Sequence, residues 1–325
     1  MDDVLFGGAR LLADIGGTNA RFALQRGPGR IEEIATLACA AHATFTDAVR
    51  AYLAGHPGAA REVRHAVIAI ANPVEGDFVK MTNHHWQFSI DAARRDLGLD
   101  TLLVVNDFAA LSMSVPGLPD ADLQQVGGTR VNPDAVIGVV GAGTGLGVGG
   151  VIPDGGRWTV LPSEGGHVAL APGSEREMAL LQLLSRGRDY VHTGHVLSGP
   201  GLVNLYRAIG ELDGLSAVHA QPEQISAAAL DGGDALALDT LHTFCAMLGG
   251  FVGDLAVLFK ASGGVFLAGG ILPQLREFLP YSAFRERFFN KGVMRDFLAG
   301  VPVRLIEHGR LGVLGAAGLA ARAEV

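Results

Sequence analysis

The chain has 325 residues, of which 49% are apolar and 18% are charged, and it carries a formal net charge of −8. This length exceeds what one simple core fills and indicates two domains or one large α/β unit. The apolar fraction and the 46 glycines are typical of a globular protein with many tight turns, and they exclude a disordered chain. No run of Lys or Arg offsets the negative charge, which argues against a nucleic-acid partner.

Cysteine usage and the N-terminal segment indicate a cytoplasmic protein. Cys39 and Cys245 are far apart and belong to no CxxC motif, so buried free thiols are predicted rather than a disulfide or a zinc site. MDDVLFGGARLLAD lacks a basic segment followed by an apolar one, so no secretory signal is predicted. The uncharged stretch 135–153 is rich in glycine, which favours a soluble strand-turn-strand over a membrane helix.

The first third of the chain predicts alternating strands and helices. Residues 11–15 and 20–24 form two short strands that meet at a Gly16-Gly17 hairpin turn. Further elements follow in order: a strand at 31–37, a helix capped by Thr44 or Thr46, a buried strand from His65, a helix capped by Ser89, and a strand that ends at Asn106 and Asp107 before another helix. Ligands of α/β sheets bind at such strand ends.

The texture changes after the segment 116–119, where a domain boundary is predicted. The second part repeats the first: VIGVVGAGTGLGVGGVI is another strand-loop-strand with a glycine loop. Helices are predicted at 174–185, 201–209 and 235–259, then a glycine-ended strand at 263–271, a last strand from Val301 and a helix from Leu311. The pattern predicts an α/β protein of two domains with one duplicated topology.

Three glycine loops are candidate anion sites. A glycine turn lets backbone N–H groups face a phosphate, and both ADIGGTNAR and GAGTGLGV have this chemistry. Asp14, before the first turn, suits Mg²⁺ held directly or through water. LAGGI forms a third loop that could pack against a nucleobase or ribose. Neither of the first two loops is a Walker A motif or a GxGxxG motif directly followed by a helix. A binding function is indicated instead by the presence of three such loops at strand ends, in an order that repeats.

Four polar residues carry the remaining chemistry: Asn106 and Asp107 at a strand end, and Glu164 and His167 in one short loop. Asp107 could accept a proton from a hydroxyl during phosphoryl transfer, or it could cap the following helix. Glu164 and His167, in LPSEGGHVAL, could hold adjacent hydroxyl groups of a ligand. A metal site at EGGH lacks further ligands, and no GxSxG motif supports a serine nucleophile. His84 and His85 are interpreted as surface or core histidines.

The chain resembles bacterial ATP-dependent glucokinases from about Leu11 to Ala317. The motifs that carry the resemblance are ADIGGTNARFAL, KMTNHHWQFSI, VVNDFAALSMSVP, GAGTGLGV, LPSEGGH, VLSGPGLVNLYRAI and VFLAGGI. The resemblance implies the actin-like ATPase (ribonuclease H-like) fold, with a smaller and a larger α/β domain closing on glucose and ATP, and a homodimer. The implied domains are 1–117, to which a C-terminal helix at about 307–325 returns, and 118–306.

The resemblance also implies a role for each site residue. Asp107 is the expected catalytic base on the glucose 6-hydroxyl, and Asn106, Glu164 and His167 are expected to bind other sugar hydroxyls. The expected ATP-binding residues are Ala13, Asp14, Ile15, Gly16, Gly17, Thr18, Gly141, Gly143, Thr144, Gly145, Gly269 and Gly270, with Mg²⁺ at Asp14. A zinc-containing sister family of sugar kinases and repressors adds cysteines that are absent here, so zinc is not expected.

One position departs from the family pattern. Glucokinases carry a second sugar-binding glutamate two residues before VLSGPG, where this chain has Gly194. Weaker glucose binding is one expectation; the other is that His192 or His195 fills the gap. Two alternatives to glucokinase therefore stay open: a kinase for mannose or an amino or N-acyl sugar, and a non-catalytic sugar-binding protein. No membrane association is expected.

Overall fold

The computed structural model describes residues 8–27, 29–82, 84–128, 132–307 and 311–320. These residues form two compact units. The first combines the residues up to Gly117 with the helix at 311–320, and the second runs from Leu118 to Glu307. The division falls inside the segment 116–119, where the composition of the chain changes.

Both units mix strands with helices. The strands are β1 (Arg10–Ile15), β2 (Asn19–Gly27), β3 (Arg30–Ala38), β4 (His65–Ile70), β5 (Phe78–Lys80), β6 (Gln87–Ser89), β7 (Thr101–Asn106), β8 (Leu123–Gly127), β9 (Ile137–Ala142), β10 (Leu146–Asp154), β11 (Arg157–Leu161), β12 (Gly264–Ala268) and β13 (Val303–Ile306). The helices are α1 (Phe45–Ala54), α2 (Ala59–Glu62), α3 (Ile90–Asp96), α4 (Asp107–Ser114), α5 (Glu175–Leu184), α6 (Gly199–Asp213), α7 (Pro222–Leu230), α8 (Ala235–Leu258), α9 (Phe284–Phe289), α10 (Arg295–Gly300) and α11 (Leu311–Ala320).

The two main sheets share one topology. In the first unit the strand order is β3-β2-β1-β4-β7, with β1 antiparallel to β2 and parallel to β4. The second unit repeats this order as β11-β10-β9-β12-β13 and adds β8 at the far edge. There, β9 is likewise antiparallel to β10 and parallel to β12. The duplication predicted from the two glycine hairpins is therefore present in the sheets.

The sheet of the first unit separates two layers of apolar side chains. Because side chains alternate along a strand, Leu11, Ala13 and Ile15 of β1 join the core on one face, which also contains Phe45 and Trp86. Leu12 points to the other face and joins a smaller cluster with residues of α11. Asp14 follows the same alternation and therefore lies on the α11 face.

Helix α11 approaches its neighbours through three glycines spaced three residues apart. A Cβ on Gly312 would lie 2.4 Å from Cγ of Asp14, and one on Gly315 would lie 1.6 Å from the carbonyl oxygen of Ala110 in α4. A Cβ on Gly318 would lie 3.0 Å from Cγ of Met113. Residues three apart share one face of a helix, so α11 has a glycine face against α4 and β1. The predicted C-terminal helix is present over 311–320; residues 308–310 and 321–325 of the expected range 307–325 lie outside the described residues.

The second unit is built around α8. This helix is long and apolar enough by length and composition to cross a membrane, but 67% of its most apolar window is buried inside the unit. Phe244, Cys245 and Leu248 of α8 are fully buried in the main apolar cluster. A core helix of a folded domain accounts for its composition. The stretch 135–153, which could also be mistaken for a membrane helix, forms the antiparallel strands β9 and β10.

Candidate active site

The first glycine loop joins β1 to β2. The backbone of Ala13, Asp14 and Ile15 is paired with both β2 and β4, and the side chains of Ala13 and Ile15 are fully buried. Their N–H groups are therefore inside the sheet, which leaves the segment Gly16–Thr18 and the side chain of Asp14 for a ligand. The Gly16 N–H donates to the carbonyl oxygen of Asn19 at 2.9 Å and closes the turn.

The Asp14 carboxylate lies in a partly buried environment. Its side chain is 29% exposed, and the Arg21 guanidinium is 3.9 Å away. Burial raises the pKa of Asp14 above its ordinary range, and the positive charge of Arg21 acts in the opposite direction. The carboxylate also contacts Gly312 in the first turn of α11. A cation at Asp14 would favour the ionised carboxylate that burial disfavours.

Asn106 and Asp107 stand where β7 ends and α4 begins. The N-cap is Asn106, whose Oδ1 accepts from the backbone N–H groups of Phe108 and Ala109 at 2.9 and 3.1 Å. The alternative that Asp107 caps α4 is therefore wrong, because Asp107 is the first helical residue and the preceding side chain already accepts these bonds. Asp107 Oδ1 accepts from Phe108 N–H at 2.8 Å. The Oδ1 of Asn106 is occupied by the capping bonds, so a ligand would be bound by its Nδ2. This amide group donates one hydrogen to the Asn72 carbonyl oxygen at 3.3 Å and has a second hydrogen.

The second glycine loop joins β9 to β10 in the other unit. Gly141 is buried within β9 and pairs with Gly147 of β10, so the loop itself is limited to Gly143–Gly145. Gly141, expected to bind ATP, thus lies inside the sheet at the base of the loop. The carbonyl oxygen of Gly143 accepts from the N–H of Gly199, at 2.8 Å, in the first turn of α6. This bond places the glycine loop beside the N-terminus of a 15-residue helix, which favours anions.

A cavity of about 430 Å³ in the second unit brings together two of the predicted loops. It is lined by Gly143 and Thr144 of the second loop and by Gly270 of the third. Gly269 directly follows β12 and is the residue before Gly270. Residues that the sequence analysis did not identify complete the lining: Gly199, Pro200, Pro222, Glu223, Ser226, Ile271 and Gln274. We call it the Gln274 cavity.

The EGGH segment is a short 3₁₀ turn whose glycines are required by close packing. A Cβ on Gly166 would lie 1.9 Å from the carbonyl oxygen of Leu146, at the start of β10. The glycine therefore lets the turn rest directly on the strand. Glu164 precedes the turn and His167 ends it, and both side chains are exposed. Two exposed polar side chains on a tightly packed turn can bind hydroxyl groups with little loss of conformational entropy.

Side chains of a second segment, Tyr190–Thr193, form hydrogen bonds to the backbone carbonyl oxygens of the EGGH turn. The Tyr190 hydroxyl donates to the carbonyl oxygen of His167 at 2.7 Å. The Thr193 hydroxyl donates to that of Gly166 at 3.0 Å, and His192 Nδ1 lies 3.2 Å from the same oxygen. Neither Tyr190 nor Thr193 was identified from the sequence, because no motif marks a pairing between segments more than twenty residues apart.

Three histidines gather beside the turn. The ring centroid of His192 lies 4.9 Å from that of His167 and 5.5 Å from that of His195. They line, with Thr144, Gly194, Pro200 and Asn204 among others, a cavity of about 210 Å³ that we call the histidine cavity. Nε2 of His195 is buried and has no hydrogen-bond partner in the described part of the chain, which ordinarily costs about 1–3 kcal/mol. Such a group is unusual in a purely structural core.

Other predicted features have structural roles. Among the described residues there is no group of three or more His, Cys, Asp or Glu that could hold a metal without further ligands. Cys39 and Cys245 are buried free thiols. His85 Nε2 contacts the carbonyl oxygen of Ala43 at 3.1 Å, and His84 Nδ1 accepts from Trp86 N–H at 3.4 Å. Asn83 of the TNHHW motif lies outside the described residues.

Comparison with known proteins identifies the family to which this site belongs. A family model described as Glucokinase matches residues 11–323. The chain belongs to the glucokinase family. A glucokinase of Chromobacterium violaceum is 49% identical over 297 residues, which cover 91% of this chain and 85% of that protein. The predicted family, its activity as an ATP-dependent glucose kinase and its enzymatic character are thereby confirmed.

Solved structures support the same glucokinase fold. The crystal structure of a glucokinase from an Antarctic psychrotroph is 35% identical, covers 97% of this chain and 99% of its own, and has a TM-score of 0.90. The predicted actin-like ATPase fold is confirmed. The bifunctional protein glk of Burkholderia pseudomallei is 50% identical over 300 residues, and this chain spans 46% of its length. These comparisons favour neither the other hexose kinases nor the non-catalytic alternative.

Proposed function

We propose that this chain transfers the γ-phosphoryl group of ATP to the 6-hydroxyl of glucose. The observation that carries the proposal is the adjacency of two cavities in the second unit. Thr144 and Pro200 line both the histidine cavity and the Gln274 cavity, so the second glycine loop stands between them. We assign glucose to the histidine cavity and the nucleotide to the Gln274 cavity, because a kinase must hold its two substrates on opposite sides of the transferred group.

The protein groups around the phosphates are backbone donors. The N–H groups of Thr144 and Gly145 suit phosphate oxygens, whereas the Gly143 N–H already donates to the Gly145 carbonyl oxygen at 2.9 Å. The first turn of α6 contributes its positive dipole end, because its Gly199 and Gly201 N–H groups are already bonded to the Gly143 carbonyl oxygen and to Ser198 Oγ. Gly16–Thr18 provides the equivalent loop in the first unit. Gly269 and Gly270 are assigned to the adenosine. Donors fixed in this way stabilise developing charge without reorganisation during the reaction.

Asp107 is the proposed general base, with Asn106, Glu164 and His167 binding other sugar hydroxyls. Its carboxylate accepts the proton of the 6-hydroxyl, the freed oxygen bonds to the γ-phosphorus, and the bond to the bridging oxygen of ADP breaks. The position at the end of β7 fits this role, since catalytic groups of α/β sheets stand at strand ends. A well-placed base of this type contributes roughly 10²- to 10⁴-fold in rate.

Asp14 fits Mg²⁺ that arrives with ATP. Magnesium in phosphoryl-transfer enzymes is held by one or two carboxylates together with phosphate oxygens and water. A single protein carboxylate, such as that of Asp14, is therefore a sufficient protein ligand. The raised pKa of Asp14 also agrees with a site that a cation completes. When bound, the ion would neutralise phosphate charge. Arg21 balances the Asp14 charge at other times.

The decisive experiment measures initial rates of phosphorylation across a panel of sugars with ATP and Mg²⁺. Glucose is expected to give the highest kcat/KM, with mannose, glucosamine and N-acetylglucosamine lower. A different best sugar would contradict the substrate assignment. Hydrolysis of ATP without transfer to any sugar would contradict the kinase assignment itself.

Replacing Gly312 by alanine is expected to displace the Asp14 carboxylate. The new Cβ would lie within 2.8 Å of both carboxylate oxygens, so the side chain must move. We expect roughly a 10-fold higher Mg²⁺ concentration for half-maximal rate, equivalent to about 1.4 kcal/mol, with the KM for glucose unchanged. A magnesium titration at saturating ATP and glucose measures this.

The matched control for Gly312→Ala is Gly58→Ala. Gly58 has φ −65° and open space where its Cβ would be added, so alanine fits without contact. Its magnesium requirement should equal that of the wild type. If Gly312→Ala also retained the wild-type requirement, Asp14 would not hold the metal.

The two compact units are proposed as the smaller and larger domains of the kinase, and the protein is proposed to be a cytoplasmic homodimer. Support for a dimer comes from apolar side chains at the surface of the second unit. Leu258 is 78% exposed and Val168 is 49% exposed, and both line an apolar cavity of about 540 Å³. Analytical ultracentrifugation of the wild type and of Leu258→Glu tests this: only the wild type should sediment as a dimer.

A further inference from the structure

The histidine cavity has an unusual wall for a site that binds neutral hydroxyls. The ring of His192 neighbours those of His167 and His195, and Gly194, which also lines the cavity, contributes no side chain to it. A Cβ on Gly194 would lie 3.1 Å from the carbonyl oxygen of Gly166 and 3.2 Å from His192 Nδ1. Any side chain at position 194, a glutamate included, would therefore crowd the contact between His192 and the EGGH turn.

The hydrogen bonds of His192 define its tautomer. A carbonyl oxygen only accepts, so the contact of Nδ1 with the Gly166 oxygen at 3.2 Å assigns the proton to Nδ1. In the neutral ring Nε2 is then an acceptor, suited to a sugar hydroxyl. The ring is thus tied on one side to the turn that carries Glu164 and His167.

We infer that His192, together with His195, replaces a carboxylate in recognising the sugar, so that the histidine stack determines sugar affinity in this chain. This inference rests on the proposed function and names the specificity-determining residues of its sugar site. His195 contributes a buried Nε2 for which the described residues provide no partner. Asn204 of α6 fixes the backbone of His195, since its Nδ2 donates to the His195 carbonyl oxygen at 3.0 Å.

The stack should make sugar binding depend on pH. The groups that face it are the three imidazoles themselves, Arg188, whose charge acts on His195, and Tyr190, whose ring centroid lies 6.5 Å from that of His192. Burial, followed by the charges of Arg188 and His192, lowers the pKa of His195, so this ring is neutral at pH 7. Protonation turns an acceptor nitrogen into a donor and places like charges side by side. Sugar binding therefore weakens as the pH falls below the ordinary histidine range.

The experiment compares the wild type with His192→Gln and with the double variant His192→Gln/His195→Gln. Glutamine keeps a donor and an acceptor but does not titrate. At about pH 7.5 we expect the KM for glucose to rise roughly 3- to 10-fold in each variant, with kcat and the KM for ATP within about 2-fold. Between about pH 7.5 and pH 5.5 the wild-type KM for glucose should rise, whereas that of the double variant should stay nearly constant.

Two controls separate recognition from loop positioning. His242→Gln changes an exposed histidine of α8 that contacts Phe278 outside the cavity, and it should retain the wild-type KM and its pH profile. Tyr190→Phe removes the bond to the His167 carbonyl oxygen but keeps the stack, so it should retain the acid-side rise.

The outcomes separate this inference from the proposed function. Active wild type combined with an unchanged KM and an unchanged pH profile in the double variant would overturn the role of the stack. A wild type that phosphorylates no sugar would instead overturn the proposed function. Isothermal titration of glucose into the nucleotide-free protein would then still test the stack, because weaker binding in the double variant does not require turnover.

Discussion

Asp107→Asn is expected to lower kcat with glucose by roughly 10²- to 10⁴-fold, with little change in the KM for either substrate. Asparagine has nearly the same shape, and its Oδ1 can still accept from the Phe108 N–H that Asp107 now binds. The N-cap of α4 is the preceding residue, so the helix start is unaffected. What the variant loses is a group that can take the proton of the 6-hydroxyl.

The measurement is a steady-state rate series at saturating ATP, with thermal unfolding recorded on the same samples. Asp91→Asn is the matched control, since Asp91 also lies in the first turn of a helix but forms a surface ion pair with Arg94. It should keep the wild-type kcat. Wild-type turnover in Asp107→Asn would exclude Asp107 as the base, and a large drop in its unfolding temperature would leave a structural effect as the cause.

Gly315→Ala is expected to destabilise the first unit by about 2–4 kcal/mol. Its Cβ would lie 1.6 Å from the Ala110 carbonyl oxygen and 2.2 Å from the carbonyl carbon, and backbone atoms cannot be relieved by a change of rotamer. Alanine favours a helix over glycine by up to about 1 kcal/mol, which offsets only part of the clash. The helices α4 and α11 must therefore move apart.

Thermal unfolding followed by circular dichroism measures this effect. A loss of this size corresponds to a fall in Tm of roughly 4–16 °C, at about 2–4 °C for each kcal/mol. Gly58→Ala, where the added methyl meets open space, should change Tm by no more than a degree or two. Because Asp107 begins α4, kcat of Gly315→Ala should also fall, even well below its Tm. An unchanged Tm would show that the contact between the two helices is not tight.

Much of the fold followed from local patterns. The short apolar run at 11–15, the Gly16-Gly17 turn and the caps, Thr44 of the two candidates and Ser89, predicted elements that the structure contains. These signals depend on a few neighbouring residues, since a cap or a hairpin turn satisfies backbone groups nearby. The repeated glycine hairpins predicted the duplicated sheet for the same reason.

Features that depend on distant contacts could not be predicted in this way. The resemblance assigned Ala13, Ile15 and Gly141 to ATP binding together with their loops, and it did not indicate that their backbones pair with neighbouring strands inside the sheets. The bonds from Tyr190 and Thr193 to the EGGH turn join segments without a shared motif. The contacts of the α11 glycines with β1 and α4 could not be predicted from the sequence. A spacing of three shows that the glycines share one face of the helix, but it does not show which residues that face contacts.

The position of α11 in the chain has a consequence for biosynthesis. Translation proceeds from the N-terminus, so Asp14 and Asp107 leave the ribosome long before the helix whose Gly312 and Gly315 contact Asp14 and α4. The whole second unit, Leu118–Glu307, is synthesised in between and can fold first. A nascent chain that has reached β13 therefore contains both carboxylates without the helix that packs against them. Kinase activity should therefore appear only after α11 has been synthesised and has packed against β1 and α4.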